Sequence, residues 1–287
     1  MTEAAAELEI SQPALSKSVK ALEKSLGVRL LERGRFGVTP TPYGEALVAH
    51  GSVIEAELRN AVGEIDALKG ATRGHVLVGC GPTEATRLLP QALLALLQSH
   101  PELKVSVLYG LNETLMPLVK NGEVDFALSS VPAKATDAEL VHDQLFNEAG
   151  AVVARSGHPL ARRRSVAPAD LQVQRWNLAR RRELERVAFD ELFRAHDLDP
   201  PEAAIESTST VLMKAVVMQS DILTFIPREL IWWEEKAGQL VALNVSGSQW
   251  VRRVGITRRR RGSLSPATRL LIEALKQTAQ ELAPSSS

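Results

Sequence analysis

Hydroxyl, amide and ammonium groups able to hold a phosphate or read a base edge gather early in this sequence, at Ser11, Gln12, Ser16, Lys17 and Lys20. They share one side of the stretch "SQPALSKSVKALEKSLG". The other side carries Leu15, Val19, Leu22 and Leu26 at i, i+4, i+7 and i+11, a single apolar stripe of an α-helix. Ser11 suits the N-cap, Pro13 the first turn, and Gly27 the position just past the helix end. Ahead of it "TEAAAELEI" reads as another helix, with Thr2 as N-cap, Ala5, Ala6 and Leu8 facing inward, and a tight turn at Glu9 and Ile10. After Gly27, "VRLLER", "GRFG" and "VTPT" read as strand, turn and return strand, with Arg33 and Arg35 near the hairpin tip. Between Ser11 and Thr41 six cations (Lys17, Lys20, Lys24, Arg29, Arg33 and Arg35) stand against two anions, Glu23 and Glu32. The helix alone reads as well as a solvated amphipathic surface. Helix, short turn, polar-faced helix and basic wing together favour a winged helix-turn-helix that contacts nucleic acid.

A second set of polar groups lies where strands give way to helices. Gly81, Pro82 and Thr83 in "GCGPTEAT" follow one apolar run, and Ser129 and Ser130 end another. Ser207, Thr208, Ser209 and Thr210 open a later helix. Hydroxyls and free N–H groups at helix N-termini suit a carboxylate, a phosphate or a sugar hydroxyl. Helix capping accounts for each of them singly. Their convergence on one cleft is what points to a small-molecule site, with Thr83, Ser129 and Ser209 in the leading places.

The elements that must position these groups follow from the same pattern. "HVLVGC", "LKVSVLY" and "VDFALSS" are strands separated by helical "LLPQALLALLQSH" and "NETLMPLVKNG", a βαβαβ unit with a parallel sheet. "GAVVAR", "AAIES" and "ILTFIP" are strands of a second unit, with helices in "ELERVAFDELFRAH" and "STVLMKAVVMQS". "VRRVGIT" and "SPATRLLIEALKQTAQEL" close the chain as strand and helix, returning to the first unit. Between head and body, residues 41–70 read as one helix with Thr41 as N-cap and Pro42 at its first position. Leu47, Ile54, Ala61 and Leu68 recur every seven residues, interleaved with Gly51, Leu58 and Ile65. That pattern fits a coiled-coil seam and equally an amphipathic helix lying on its own core.

Bulk properties narrow the class. The 287 residues suffice for two or three domains, and 45% hydrophobic with 24% charged residues is an ordinary globular balance. Net charge is zero, so the basic module is attached to a neutral body. One cysteine excludes a disulfide framework and a thiolate metal cluster, and the six histidines are scattered. No run reaches membrane-spanning length and the start is not signal-like, so a cytoplasmic protein is expected. "GCGPTE" lacks the third small residue of a dinucleotide loop, and no nucleophile elbow, P-loop or zinc-helix motif occurs. No cofactor, metal or catalytic role is expected. Glu84 and Asp125 lie near the proposed cleft without a pairing for acid–base work, and the arginine runs at 162–164, 180–182 and 258–261 read as surface. Trp232 and Trp233 read as core or interface.

"AAAELEISQPALSKSVKALEKSLGVRLLER" followed by "TPYGEAL" resembles the DNA-binding domain of LysR-type transcriptional regulators. The resemblance continues more weakly through "RGHVLVG", "LLP", "NGEVDFAL", "HPLA" and "LSPATRLLIEAL", so it spans nearly the whole chain. It implies an α/β protein with an N-terminal winged helix-turn-helix, a long linker helix, and a bilobed effector domain of two α/β subdomains like a periplasmic binding protein. Expected divisions are residues 1–42, 43–70, 74–150 with 255–287, and 151–254. Ser11, Gln12, Pro13, Ser16 and Lys17 would lie at bases and phosphates, with Lys20 flanking and Arg33 and Arg35 at the wing. Gly81, Pro82, Thr83, Ser129, Ser130, Thr208 and Ser209 would line the effector cleft. Implied partners are promoter DNA with an interrupted palindrome, a carboxylate- or hydroxyl-bearing effector, a second copy (a homodimer, or a tetramer) and, for an activator, RNA polymerase; no membrane is involved.

Two departures stand out. Pro40 replaces an apolar residue and is expected to shorten the wing strand. The family carries a further helix ahead of "AAAEL", for which these residues leave no room, as in a fragment or a start assigned too far downstream. The competing readings are a cytoplasmic solute-binding protein without DNA function and an enzyme on the same scaffold.

Overall fold

The structure, a computed structural model, describes residues 2–34, 37–69, 73–134, 137–247 and 250–282. The head comprises α1 (Thr2–Glu7), α2 (Gln12–Leu26), β1 (Leu31–Gly34) and β2 (Gly37–Pro40), and α3 (Pro42–Leu68) follows it. The turn between the first two helices is made by Glu9 in the left-handed region at φ 55°. Ser11 caps α2 by accepting the Ala14 N–H, and Gly27 ends it at φ 72°. The Glu23 carboxylate accepts the N–H groups of Leu30 and Leu31 at 2.9 and 3.3 Å, tying helix to wing. Those bonds hold its pKa below the usual carboxylate range. Pro40 does not shorten the wing. It remains in β2 opposite Leu31, in a two-stranded edge that tolerates the missing N–H.

The body is one twisted nine-stranded sheet carrying two lobes. In chain order its elements are β3 (Gly74–Cys80), α4 (Leu88–Ser99), β4 (Leu103–Tyr109), α5 (Asn112–Lys120), β5 (Phe126–Ser130), β6 (Leu140–Arg155), α6 (Pro168–Gln172), β7 (Trp176–Leu178), α7 (Leu184–Arg194), β8 (Ala203–Glu206), α8 (Thr210–Met218), β9 (Leu223–Pro227), α9 (Trp232–Lys236), β10 (Leu240–Ala242), β11 (Val251–Arg259) and α10 (Pro266–Leu282). Strands run β4-β3-β5-β11-β6-β9-β7-β8, with β10 on β6. In lobe I, Val76, Val78, Phe126 and Leu128 pack against Leu89, Ala92 and Leu96 of α4 and Leu271 and Leu275 of α10. In lobe II, Trp176, Phe189, Phe193 and Phe225 form an aromatic core, with the Trp176 and Phe189 ring centroids 4.6 Å apart.

The lobes are joined by two antiparallel strands. The first part of β6 pairs with β11, and its last part, from Gly150, pairs with β9 and β10. The sequence pattern gave only residues 150–155 of this 16-residue strand. Its first part, "LVHDQLFNEA", is polar and poor in strand formers, and pairing with β11 overrides that preference.

Helix α3 divides its faces. Ala56 and Asn60 are buried toward lobe I, and Asn60 donates to the Ser263 carbonyl at 2.7 Å. Arg59 reaches the Gly122 carbonyl at 3.0 Å. The heptad positions lie elsewhere: Ile54, Leu58 and Leu68 are 69, 65 and 89% exposed. The helix is thus docked on its own body along one face and apolar and open along another.

Head and linker meet at Thr41, whose hydroxyl donates to the Arg29 carbonyl at 2.7 Å and accepts the Gly44 N–H at 3.1 Å. Gly44 lies directly against the Leu30 carbonyl, and a Cβ there would also sit 3.2 Å from the Pro40 Cβ. Because the obstacle is backbone, Gly44→Ala is expected to loosen the head while sparing the body. Calorimetry should show the head transition lowered with the body transition unchanged, and DNA affinity should fall about tenfold or more, roughly 1.4 kcal/mol.

Candidate functional site

Ser11, Pro13, Lys17 and Lys20 are exposed on α2, and Gln12 and Ser16 are half-buried beside them. Gln12 donates to the Ser16 hydroxyl at 2.9 Å, one turn along the same face. Arg33 lies in β1 at the wing, and Arg35 lies outside the described residues. Opposite this polar face α2 buries no residue, and Leu22 and Leu26 remain exposed.

The second site is the cleft between the lobes, enclosing about 60 Å³. Lobe I supplies Pro82 and Thr83 from the turn after β3. Lobe II supplies Glu183 and Glu185 at the start of α7, Ser207, Thr208 and Thr210 at the start of α8, and Ile226 and Pro227 at the end of β9. Ligand cavities for metabolites run to about 300 Å³ or more, so the space between the lobes is narrow in this arrangement. Of the seven residues expected to line it, Pro82, Thr83 and Thr208 do so. Gly81 instead packs against the Glu84 carboxylate. Ser129 is buried behind it, and Ser130 faces a separate hollow beside Asn112, whose amide donates to its hydroxyl at 3.0 Å. Ser209 caps α8 by accepting the Leu212 N–H at 3.3 Å.

The strongest feature of the cleft was not legible as a motif. Arg252, near the start of β11, donates through Nε to Glu148 at 2.7 Å, through Nη1 to Glu185 at 3.2 Å, and through Nη2 to Glu84 at 3.4 Å and to the Thr83 hydroxyl. One guanidinium thereby joins the turn after β3, the crossing strand β6 and the first turn of α7. Burial pushes the Glu84 carboxyl upward and the Glu148 carboxyl up to about 7, in each case against the pull of Arg252. A signal did exist: Arg252 is in phase with the buried Val254 and Ile256, so alternation turns it inward. Asp125, by contrast, is structural, accepting the Leu77 N–H at 2.9 Å and the Thr268 hydroxyl at 3.2 Å.

A second tie closes the mouth. Arg87 pairs with Glu229 at 2.5 and 3.2 Å and lies 4.9 Å from the centre of the Trp232 ring, while Trp233 donates to the Thr86 carbonyl at 3.1 Å. The tryptophan pair is therefore an interface between lobes.

Glu148 takes up its proton more readily when folded, so its contribution is full below the ordinary carboxylate pKa of 4.5 and is lost as pH rises through about 7. Body stability should fall over that window, and Glu148→Gln, which mimics the protonated form, should flatten the fall in a pH series of urea melts. Arg252→Leu leaves three carboxylates without their cation and should cost about 3–5 kcal/mol at neutral pH.

Residues 1–45 match the family model of the bacterial regulatory helix-turn-helix protein, lysR family, and residues 69–280 match the LysR substrate binding domain. The chain is 33% identical over 274 residues to the HTH-type transcriptional regulator GbpR of Azospirillum brasilense, covering 95% of this chain and 80% of that protein. Its fold is similar to a full-length OxyR variant from Pseudomonas aeruginosa (TM-score 0.71, 23% identity, 97% of this chain and 88% of that one). It is also similar to the regulatory domain of Synechocystis CcmR solved in complex with 2-PG (TM-score 0.64, 19% identity, 72% of this chain and 98% of that one). With both family models matched in the expected order, this chain belongs to the LysR family of transcriptional regulators.

Proposed function

We propose that this LysR-type regulator reads promoter DNA as a homodimer through α2 and the wing, and that a small effector held between its lobes sets the geometry of the two reading heads. The observation that carries the reading is the pairing, in one chain, of a polar Gln12/Ser16/Lys17/Lys20 helix face with a two-lobed domain whose cleft is lined from both sides. Ser11, Gln12, Pro13, Ser16 and Lys17 meet the major groove, Lys20 flanks it, and Arg33 and Arg35 follow the adjacent backbone. Pro82, Thr83 and Thr208 contact the effector. Residues 1–42 form the head, 43–70 the dimer helix, 74–150 with 255–287 the first subdomain and 151–254 the second. The work is done in the cytoplasm without catalysis, on an interrupted palindrome, and in an activating role through RNA polymerase.

Effector chemistry follows from the cleft walls. Arg252 is saturated by three carboxylates, and Glu183 and Glu185 face the same space, so hydroxyl-bearing ligands fit better than carboxylates. CcmR, a similar fold, was solved with 2-PG, which supports small-molecule binding by a domain of this kind.

DNA affinity is measured against salt with promoter DNA from beside the gene, for these 287 residues and for a form extended upstream in frame. Affinity should fall steeply with salt, and Lys17→Ala should reduce the log–log slope by about one without changing sequence preference. Binding that is absent at low salt in both forms would sink the reading. Sedimentation should show a dimer that Ile54→Lys with Leu58→Lys converts to monomer, since both side chains project from the open face of α3.

A further inference from the structure

Two polar side chains sit in an apolar layer of lobe II without any hydrogen-bond partner. Asn177 of β7 and Thr224 of β9 are both 0% exposed, and the Asn177 Oδ1 and Nδ2 and the Thr224 Oγ1 all lack a partner among the described residues. They are register neighbours across parallel strands, so their side chains leave the sheet on the same face. Thr224 is also opposite Val153 of β6. The layer on that face holds Ala151, Val153, Met213, Val217, Ile226 and Leu230, and the Lys214–Glu234 ion pair lies at its edge, with Lys214 donating to the Leu230 carbonyl at 3.1 Å. Folded proteins rarely bury an amide and a hydroxyl unpaired, and such groups call for an explanation.

Their position supplies one. Side chains two apart along a strand share a face at a spacing of about 7 Å. Ile226 is two residues beyond Thr224 within β9 and lines the inter-lobe cleft, as does Ala179 just past the end of β7. The orphaned pair is therefore one step further in along the same face, beneath α8. Met213 of α8 is buried and also lines the cleft, so it stands between the open space and the pair. An unbranched thioether side chain is the kind of cover that can swing aside at little cost.

We propose that the effector cleft continues beneath Met213 to a polar seat made by Asn177 and Thr224, and that this seat takes an uncharged hydroxyl group of the effector. The proposal rests on the reading of the cleft as the effector site. A hydroxyl both donates and accepts, which matches an amide oxygen, an amide nitrogen and a second hydroxyl. An ionised carboxylate or ammonium would lose its hydration on entering that apolar layer, so desolvation disfavours it against a neutral hydroxyl.

The test uses the full chain and three matched pairs of probes in which the carboxylate carries no hydroxyl: 1-propanol and propionate, 1,3-propanediol and malonate, benzyl alcohol and benzoate. Thermal-shift titrations are read for the wild type, Thr224→Val, Asn177→Leu and Thr224→Ser. In the absence of probe, the valine and leucine variants should melt at or above the wild-type temperature, because each replaces an unpaired buried polar group by an apolar one of similar shape. At least one alcohol should raise the wild-type melting temperature more than its carboxylate partner. Its apparent Kd should weaken tenfold or more in Thr224→Val and Asn177→Leu and recover in Thr224→Ser, which keeps the hydroxyl. A carboxylate binding as well as its alcohol, affinities within twofold across the variants, or no alcohol binding at all would each overturn the seat. Promoter binding by the unliganded wild type, run in parallel, separates this failure from failure of the regulator reading: salt-dependent DNA binding with inert alcohols removes only the seat, and absent DNA binding removes only the reading head.

Discussion

The contact on which the body depends is the guanidinium of Arg252 among Glu84, Glu148 and Glu185. Four segments where the lobes meet are tied to that one group: the turn after β3, the crossing strand β6, the first turn of α7 and, through Arg252 itself, the crossing strand β11. Two charges taken from water need each other and need their remaining hydrogen bonds met. Here a single cation serves three acids, so the cluster carries more negative charge than it can compensate. Burial displaces Glu84 and Glu148 upward against the pull of Arg252, and repulsion from neighbouring carboxylates adds a smaller push. A cluster of this kind fixes geometry while Glu148 stays close to a change of protonation.

The turn from Gly81 to Arg87 links this joint to everything around it. Thr83 and Glu84 meet Arg252 at the floor of the cleft, and Thr86 and Arg87 meet Trp233, Glu229 and Trp232 at its mouth. The same turn leads directly into α4, which packs against α10 in the lobe I core. On the proposed reading a ligand touching Thr83 acts on a segment fastened at both ends to the opposite lobe. Two discrete packings of such a segment, rather than a graded deformation, are what a close-packed core allows.

What the sequence made legible, and what it did not, divides along the range of the interactions. The head could be read because its signals are local: the cap at Ser11, the stripe from Leu15 to Leu26 and the stop at Gly27 lie within one helix. Strands with apolar runs, such as Val76–Cys80, were legible for the same reason. The first part of β6 was not, because only its partner β11 makes it a strand. The cleft hydroxyls were half legible. Helix-opening Ser and Thr residues announce a cap, and Ser209 is one, but which of them also faces the opposite lobe is decided by lobe packing. Glu148, Glu185 and Arg252 are far apart in sequence and look like ordinary surface charge in each local window. Asn177 and Thr224 are invisible for the opposite reason, since each is one polar residue in an apolar strand.

The linker helix shows why a small change at the joint would matter at the DNA. Asn60 and Arg59 bind the carbonyls of Ser263 and Gly122, and Glu57 accepts the Ser263 N–H at 3.2 Å, so α3 is fastened to lobe I alone. At the other end Thr41 and Gly44 lock it to the wing. Its 27 residues make a lever of about 40 Å at 1.5 Å per residue, and a rotation of roughly 5° at the body would move the head by about 3 Å. Half-sites one helical turn of DNA apart are about 34 Å from centre to centre, and a displacement of that order on each head is a large fraction of one base step. If the open face of α3 pairs with a second copy, the two levers share one axis, and a change at either cleft is felt by both heads. The tightness of the Gly44 contact and the saturation of Arg252 then belong to one requirement: a lever transmits a rotation only if neither of its ends can give.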